Sequence, residues 1–442
     1  MTLASSNEIW LSTIPTDWTP SRIRSVAQVS PKFSDGPPKK DEPCTIVPME
    51  LLSESGEINT SIQQPAEEID SGLTLFEEGD VIFAKITPCM ENGKGAFVKN
   101  LLSRYAFGST EFHVLRPNHH IHGKFLYYCT YNPTYRAYAA ENMSGAAGQK
   151  RVSTRFLKDT RIFLPSPIEQ ERIAAYLDES CAAIDAAVTA KRRQIETLNS
   201  VRESIVETAV TRGLRAESKG VRIDRDWIKS LPEHWTAVSI KRVVSRVDYG
   251  ISESTEQHGR HPVLKMANIQ AGEVTFANLE FVEEVEKDLL LDTNDLLYNR
   301  TNSLDQVGKA ALFRGSKDEG VTFASYLVRL RVNHRIKPAF LNHVVNSQGF
   351  LAFARKLAIP SVQQANLNST RYCRMLIPLP PLSEQEAICD YLGEKLGKVK
   401  QVVSTIESQI DILTSYRKSL IHECVTGQRR ITETATSNMM LP

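Results

Sequence analysis

The sequence contains two copies of one unit, and this internal duplication constrains the fold more than any other feature. Residues 164–177 and 379–392 are identical at eight of 14 positions when the second segment is shifted back by 215 residues. The same shift aligns Gly93-Lys94 with Gly308-Lys309, and a shift of 217 residues aligns Trp18 with Trp235. A period this long predicts duplicated domains rather than a solenoid of short repeats.

Each copy is predicted to combine a mixed α/β domain with one long helix. The predicted division is 1–165 and 214–380 for the two mixed domains, 166–213 and 381–427 for the helices, and 428–442 for a C-terminal tail. Short apolar segments between Gly, Pro and Asn predict strands at 81–83, 111–115, 295–298 and 326–332, and short helices at 125–131 and 339–345. Ser166 with Glu169, and Ser383 with Glu386, form the capping pattern that begins a helix.

Both long helices carry an apolar stripe with heptad spacing. The positions expected to pair are Ile184, Val188, Ile195, Leu198, Ile205, Val399, Val403, Ile406, Ile410, Leu413 and Leu420. Because exposing such a stripe is unfavourable, we predict that the two helices pack antiparallel, with one mixed domain at each end. The fold class is therefore α+β: two duplicated mixed α/β domains joined by a long antiparallel two-helix coiled coil. Two unrelated core helices inside one globule, and a coiled coil between two chains, remain as alternatives.

Charge and cysteine content exclude several classes of protein. Lys and Arg number 53 against 52 Asp and Glu, which excludes a uniformly basic nucleic-acid-binding surface but not a local basic patch. Seven cysteines without a C-x-x-C pair argue against a disulfide framework or a zinc finger and favour a reducing compartment. No apolar run is long enough to span a membrane, and the first ten residues lack a signal-peptide pattern. We predict a cytoplasmic protein.

Motifs for catalysis are missing from the sequence. No phosphate-binding loop, dinucleotide-binding loop, zinc-protease motif or serine-hydrolase motif occurs, which argues against a stand-alone nuclease or methyltransferase. Asn132-Pro133-Thr134-Tyr135 resembles the loop that grips the target amine in adenine methyltransferases, but we interpret it as a turn because the second copy does not repeat it. For the same reason we interpret His119-His120-Ile121-His122 as a solvated loop rather than a metal site.

The duplicated motifs resemble the specificity subunit of type I restriction–modification systems. The resemblance lies in the Leu-Pro start of each long helix (164–170 and 379–385), the helix ends at 209–213 and 424–427, and the openings at 14–18 and 231–235. It implies a non-catalytic subunit whose two target-recognition domains read the two halves of a split, asymmetric site in double-stranded DNA. It also implies that the helices separate the two domains.

The resemblance further implies partners and cofactors that composition does not reveal. The helices would dock two adenine methyltransferase (modification) subunits, which bind S-adenosylmethionine, and restriction/translocase subunits would use ATP and Mg²⁺. The assembled complex would be an adenine-specific DNA methyltransferase and ATP-dependent endonuclease, while no cofactor or metal is expected on this chain. A different class of function also stays open: a coiled-coil scaffold protein that binds only protein partners.

Comparison of the two copies suggests which residues contact DNA. Positions shared by both copies are expected to build the fold, whereas polar loops that differ are candidates for reading base edges. Residues 85–92 and 300–307 have no identity in eight aligned positions, and the segments 144–151 and 361–366 lie just before the helices. The candidates are Lys85, Thr87, Asn92, Lys94, Ser144, Gln149, Lys150, Arg151, Arg300, Asn302, Ser303, Lys309, Gln363, Gln364 and Asn366. We interpret Lys191-Arg192-Arg193 as a solvated helix face, with contact to DNA between the half-sites as the alternative.

Overall fold

The chain forms two compact units that each combine separate parts of the sequence. The computed structural model describes residues 3–5, 13–146, 148–215, 220–361 and 364–431. Unit 1 comprises Met1–Lys191 and Ser408–Pro442, and unit 2 comprises Arg192–Glu407. The long helices α5 (Pro167–Arg212) and α9 (Leu382–Val425) therefore each contribute residues to both units.

The remaining elements are short. In unit 1 the strands are β1 (Leu3–Ser5), β2 (Thr13–Pro15), β3 (Thr19–Arg22), β4 (Ala27–Val29), β5 (Pro43–Val47), β6 (Ile62–Pro65), β7 (Thr74–Phe76), β8 (Val81–Ala84), β9 (Gly95–Phe97), β10 (Tyr105–Gly108), β11 (Phe112–Pro117), β12 (Ser144–Ala146), β13 (Gln149–Arg151) and β14 (Arg161–Leu164). Its short helices are α1 (Ile23–Val26), α2 (Gly123–Tyr131), α3 (Pro133–Glu141) and α4 (Thr154–Asp159).

Unit 2 has a similar set of elements, with two more strands and one fewer short α-helix among the described residues. Its strands are β15 (Gly220–Arg225), β16 (Ile228–Pro232), β17 (Thr236–Ser239), β18 (Val244–Tyr249), β19 (His261–Leu264), β20 (Ile269–Gln270), β21 (Gly272–Val274), β22 (Glu280–Val282), β23 (Leu296–Asn299), β24 (Thr301–Asn302), β25 (Ala310–Leu312), β26 (Thr322–Phe323), β27 (Leu327–Val332), β28 (Ile359–Ser361), β29 (Gln364–Asn366) and β30 (Leu376–Leu379). Its short helices are α6 (Pro338–Val345), α7 (Gln348–Leu357) and α8 (Ser369–Arg374).

The two units share one sheet topology. The sheet β4-β11-β8-β9 of unit 1 corresponds to β18-β27-β23-β25 in unit 2, where β21 and β20 extend it. Val81 lies opposite Leu115 and Leu296 lies opposite Leu330, which are the same positions after the shift of 215. In the second sheet of each unit one strand pair is parallel, β5 with β10 and β19 with β26. The duplication therefore holds in backbone pairing well beyond the segments of sequence identity.

The predicted strands correspond to β8, β11, β23 and β27, and the predicted short helices lie within α2 and α6. The helices that follow these two, α3 and α7, are not predicted. The Asn132 side chain accepts a hydrogen bond from the Thr134 main-chain N–H, and Pro133 occupies the first turn of α3. Asn at the cap followed by Pro is a favourable helix start, so the interpretation of this segment as a turn is wrong.

An ion pair at the same place in both units fixes the central sheet to the turn beside it. Arg116 donates two hydrogen bonds of 2.8 Å to the buried carboxylate of Asp80, and Arg331 donates to Asp295 over 2.7 and 3.0 Å. Both carboxylates also accept a main-chain N–H three residues earlier, from Glu77 and Asp292. Because a buried carboxylate needs several donors to remain charged, this shared set of contacts belongs to the fold.

The long helices pair antiparallel within each unit. In unit 1 the beginning of α5 packs with the end of α9: Arg417 lies 3.2 Å from Asp185, and Lys191 donates to Gln409 over 2.6 Å. In unit 2 the end of α5 and the beginning of α9 share one hydrophobic core. All eleven predicted pairing positions are buried or half-buried, and Ile184, Ile406 and Leu420 are the most buried of them. Within the described ranges, no helix has the length and apolarity needed to cross a membrane.

A buried glutamine explains the duplicated motif at the start of each long helix. Gln170 accepts the main-chain N–H of His122 over 2.7 Å and donates to the Pro165 carbonyl over 3.1 Å. Gln385 does the same with Lys337 and Pro380, over 2.7 and 2.9 Å. An amide side chain carries both donors and acceptors, so one residue satisfies main-chain groups on both sides of it. Each long helix is thereby fixed to the mixed domain that precedes it.

Loss of this amide is expected to destabilise unit 2 selectively. Gln385→Leu roughly keeps the side-chain volume but removes the hydrogen bonds to the Lys337 N–H and to the carbonyls of Arg335 and Pro380, at a cost of about 2–3 kcal/mol. Thermal unfolding should therefore show a lowered midpoint for Gln385→Leu. The exposed Gln401 on the same helix provides the matched control, and Gln401→Leu should leave the midpoint nearly unchanged. Equal midpoints for the two variants would show that the buried amide contributes nothing.

Candidate nucleic-acid interface

A loop and a hairpin lie side by side in unit 1. The loop, residues 85–94, connects β8 to β9, and the hairpin consists of β12 and β13. The Thr87 N–H donates to the Lys150 carbonyl over 3.0 Å, and the Val152 N–H donates to the Lys85 carbonyl over 2.9 Å. The fold thus joins two segments that the sequence analysis singled out separately.

Unit 2 contains the same arrangement. Strand β24 pairs with β29 of the hairpin β28–β29, and the Leu367 N–H donates to the Arg300 carbonyl over 2.7 Å. The pairs Ile86 with Arg151 and Thr301 with Asn366 are equivalent under the shift of 215. We refer to residues 85–94 with 144–151 as frame 1, and to residues 300–309 with 359–366 as frame 2. Residues 147, 362 and 363, including the predicted Gln363, lie outside the described residues.

The predicted side chains of frame 1 differ in their exposure and in their contacts within unit 1. Asn92, Ser144, Gln149 and Lys150 are exposed, whereas Lys85 and Thr87 are half-buried. The Thr87 hydroxyl lies 3.7 Å from the Met143 sulfur. The Lys94 ammonium donates to the Met49 carbonyl over 2.9 Å, so this predicted DNA contact is held by the protein itself.

An ion pair connects the residue before β11, Glu111, to Arg151 of the hairpin in frame 1. The Arg151 guanidinium donates to the Glu111 carboxylate, with Nη2 at 2.7 Å and Nε at 3.0 and 3.1 Å. The hydrogen bonds from Arg151 lower the pKa of Glu111, and the positive charge of Lys85 acts in the same direction. Arg151 is therefore held in one orientation, and the exposed Lys150 beside it is the more accessible cation of the hairpin.

Frame 2 places an arginine against an aromatic ring. The Arg300 guanidinium carbon lies 5.2 Å from the centre of the Tyr249 ring, and the Tyr249 hydroxyl lies 2.7 Å from the Ser369 hydroxyl. Stacking of a guanidinium on an aromatic face restricts its motion while leaving its edge available for hydrogen bonds. The Tyr249 ring and a 3.4 Å hydrogen bond from Arg300 Nε to the Thr301 hydroxyl thus hold this guanidinium within frame 2.

The other predicted residues of frame 2 line the same surface. Asn366 donates to the Thr301 hydroxyl over 2.8 Å, while Asn302 and Ser303 are half-buried and Gln364 is exposed. The Lys309 ammonium donates to Gln306 over 2.9 Å, and burial together with the nearby Arg355 lowers the pKa of Lys309. Lys309, like Lys94 in frame 1, is therefore engaged within its own unit.

Three side chains of this surface are not predicted from the sequence. Glu111 and Tyr326 occupy equivalent positions, and their carbonyls accept the main-chain N–H of Lys85 over 2.9 Å and of Arg300 over 3.0 Å. Tyr249 supports Arg300 from a strand distant in sequence. Glu111 and Tyr326 could have been found, because these aligned positions differ between the copies and lie a few residues before the shared pairs Leu115-Arg116 and Leu330-Arg331. Tyr249 gave no such signal.

Other candidate chemistry is accounted for by the fold. His119 and His120 are exposed, and the described part of the chain contains no group of three His, Cys, Asp or Glu side chains that could hold a metal ion. His113 is buried beneath frame 1, where its Nε2 lies 2.9 Å from the Val152 carbonyl, and burial lowers its pKa to about 4. This imidazole is neutral at physiological pH and links β11 to the hairpin of frame 1.

The link between Arg151 and Glu111 predicts a measurable pKa change. Removing the guanidinium in Arg151→Met should raise the pKa of Glu111, which can be followed by ¹³C NMR of labelled glutamate carboxylates. Because the pKa of Glu111 is lower in the folded than in the unfolded chain, its stabilising contribution is present above the unfolded pKa and is lost as pH falls through the folded pKa. Arg155→Met, which removes an exposed cation of α4, is the control. An unchanged pKa in Arg151→Met would contradict the assignment.

Sequence comparison places a known domain on unit 1. A protein-family model described as the type I restriction modification DNA specificity domain matches residues 15–197. The chain is 28% identical over 228 residues to the type I restriction enzyme EcoAI specificity subunit of Escherichia coli, a match that covers 51% of this chain and 36% of that protein. It is 22% identical over 322 residues to the EcoKI specificity subunit of E. coli strain K12, covering 71% of this chain and 67% of that protein. The chain thus matches only about a third of the length of the first relative.

Comparison with solved structures places the same fold on nearly the whole chain. A chain from a type I restriction–modification system, studied for its complex assembly and conformational transition, superposes with a TM-score of 0.73 at 18% identity and covers 94% of this chain and 99% of its own. The HsdS subunit of Thermoanaerobacter tengcongensis gives a TM-score of 0.50 at 17% identity and covers 94% and 98%. Together with the duplicated units and their long helices, these matches show that the chain is similar to type I restriction–modification specificity subunits and that residues 15–197 match the DNA specificity domain of that family.

Proposed function

We propose that this chain reads a bipartite, asymmetric site in double-stranded DNA, with frame 1 on one half-site and frame 2 on the other. The observation that carries the proposal is that one backbone arrangement occurs twice with different side chains. Lys85, Glu111 and Arg151 of unit 1 stand where unit 2 has Arg300, Tyr326 and Asn366. Two identical scaffolds with different donors and acceptors are suited to two different base sequences.

The chemistry of the frames supports base reading rather than bond breaking. Arg and Lys donate to guanine, Asn and Gln pair with adenine, and Glu accepts from cytosine. All of these side-chain types occur in the two frames. The net charge of +1 is low for a protein that binds DNA alone, so partner subunits would supply part of the contact to phosphates. We accordingly assign no catalytic role to this chain.

We further propose that two copies of one methyltransferase subunit dock on the long helices. The support is a pair of exposed apolar side chains at equivalent positions, Val201 on α5 and Tyr416 on α9, which are 43% and 45% exposed. Apolar side chains repeated on two related surfaces are suited to two copies of the same partner. S-adenosylmethionine would bind to those subunits, ATP and Mg²⁺ to restriction/translocase subunits, and the complex would act in the cytoplasm.

The decisive experiment is co-expression of the full chain with its methyltransferase subunits, followed by mapping of methylated adenines. We expect a split, asymmetric motif that is absent without this chain. Replacing residues 1–165 with the corresponding domain of another specificity subunit should change one half-site and leave the other unchanged. An unsplit motif, or an identical motif without this chain, would refute the proposal and favour a scaffold that binds only protein.

A single substitution in frame 2 should change the second half-site alone. Arg300→Gln replaces a stacked guanidinium by an amide, which favours adenine over guanine, and a lost bidentate contact of this kind costs about 1–3 kcal/mol of discrimination. Methylation mapping should show relaxed or altered preference at one position of one half-site. Lys317→Gln, which removes an exposed cation of unit 2 outside frame 2, should leave the motif unchanged. Changes in both half-sites would contradict the assignment of one frame to each half.

A further inference from the structure

An arginine outside each frame holds the frame's loop at an equivalent carbonyl. In unit 1 the Arg136 guanidinium, from α3, donates through Nη1 to the Met90 carbonyl over 3.1 Å. In unit 2 the Arg355 guanidinium, from α7, donates through Nη2 to the Asp305 carbonyl over 2.8 Å. Met90 and Asp305 are the same position after the shift of 215. The contact is therefore repeated in both units.

The arginines themselves are not at equivalent positions. Arg136 aligns with Leu351, and Arg355 aligns with Ala140, so the two donors stand four residues apart on corresponding helices. One helical turn separates such positions, which leaves both side chains on the same face. The two units thus reach the same carbonyl with different residues, which indicates that the contact rather than the residue is required.

The environment of Arg136 makes this contact unusual. The side chain is 5% exposed, its Nε donates to the Thr130 carbonyl over 2.6 Å, and its guanidinium lies 5.0 Å from the Phe83 ring centre. Among the described residues its hydrogen bonds go to main-chain carbonyls, and burial lowers its pKa. Burying a cation without a carboxylate is costly, and unit 2 fills the aligned position with leucine. The presence of a charged arginine at position 136 is therefore explained by its hydrogen bond to the loop rather than by packing.

Both carbonyls lie inside the variable segments of the loops. In frame 1 the Met90 N–H donates to Ile86 and the Asn92 N–H donates to Pro88, both over 2.9 Å. In frame 2 the Val307 N–H donates to Ser303 over 3.0 Å. These bonds shape each loop locally, whereas the arginine joins it to a helix of the rigid unit. A loop that is held in this way cannot adapt to a wrong base pair, so its discrimination increases.

We propose that Arg136 and Arg355 are positioning residues that hold the loops of frames 1 and 2 in the conformation that discriminates between bases. The inference rests on the proposed function, since it concerns the same two frames. Neither guanidinium needs to touch DNA. Each acts on one half-site only, because each is tied to the loop of its own unit.

The test uses the complex with its methyltransferase subunits and compares binding of the cognate duplex with duplexes that carry one substituted base pair in either half-site. Arg355→Gln should reduce discrimination at the second half-site about tenfold, as for one lost hydrogen bond from a charged donor, and leave the first unchanged. Arg355→Lys keeps a donor and should recover part of the loss. Lys356→Gln, next to it and exposed, is the matched control and should not change discrimination.

Arg136→Lys should weaken discrimination at the first half-site alone, and a thermal melt shows whether the variant has folded. Should it fail to fold, Arg355→Gln decides the question, since Arg355 is only half-buried. Unchanged discrimination in folded Arg355→Gln, or an equal loss at both half-sites, would overturn the inference. If the wild-type complex shows no bipartite preference, the proposed function fails instead, so the two failures are distinguishable.

Discussion

The buried amides of Gln170 and Gln385 are the interaction on which the arrangement of each unit depends. Each amide satisfies main-chain groups on both sides of the junction between a mixed domain and a long helix. Without it, three main-chain polar groups in each unit would lose their hydrogen-bond partner. The duplicated motif is therefore a structural element, and its glutamines lie outside both frames.

Regular elements were largely predictable from the sequence, whereas contacts between distant segments were not. Capping residues and heptad spacing predicted helices at 166–213 and 381–427, and α5 and α9 occupy 167–212 and 382–425. Ser166 caps α5 as predicted, whereas Ser383 lies in the first turn of α9 and does not cap it, because that helix begins at Leu382. The duplication itself showed that the loops at 85–92 and 300–307 differ between copies. It could not show that these loops pair with the hairpins, because β12, β13, β28 and β29 have only three residues each and no alternating pattern. Tyr249 was not predicted for a related reason, because a cation–π contact between distant residues produces no regular pattern of residues in the sequence.

The two frames show how the copies of a duplicated unit can differ in their side chains while keeping one backbone arrangement. Main-chain hydrogen bonds set the position of the loop and hairpin in both units, so substitution of the side chains leaves the scaffold intact. The supporting contacts differ as well: Glu111 orients Arg151 in unit 1, while Tyr249 orients Arg300 in unit 2. The Glu111 carboxylate neutralises part of the positive charge of Arg151. The Tyr249 ring carries no charge, so the positive charge of Arg300 is preserved. The two frames thus present different electrostatic surfaces on the same backbone.

The composition of unit 1 from two separate stretches of chain has a consequence for synthesis. Ile184 and Val188 pack against a core that includes Leu420 and Ile421, yet the whole of unit 2 is translated between them. At roughly 5–20 residues per second, the ribosome exposes the apolar stripe of α5 for on the order of ten seconds or more before its partner emerges. During that interval unit 1 lacks its last helix, so its core is completed only after unit 2 has been synthesised.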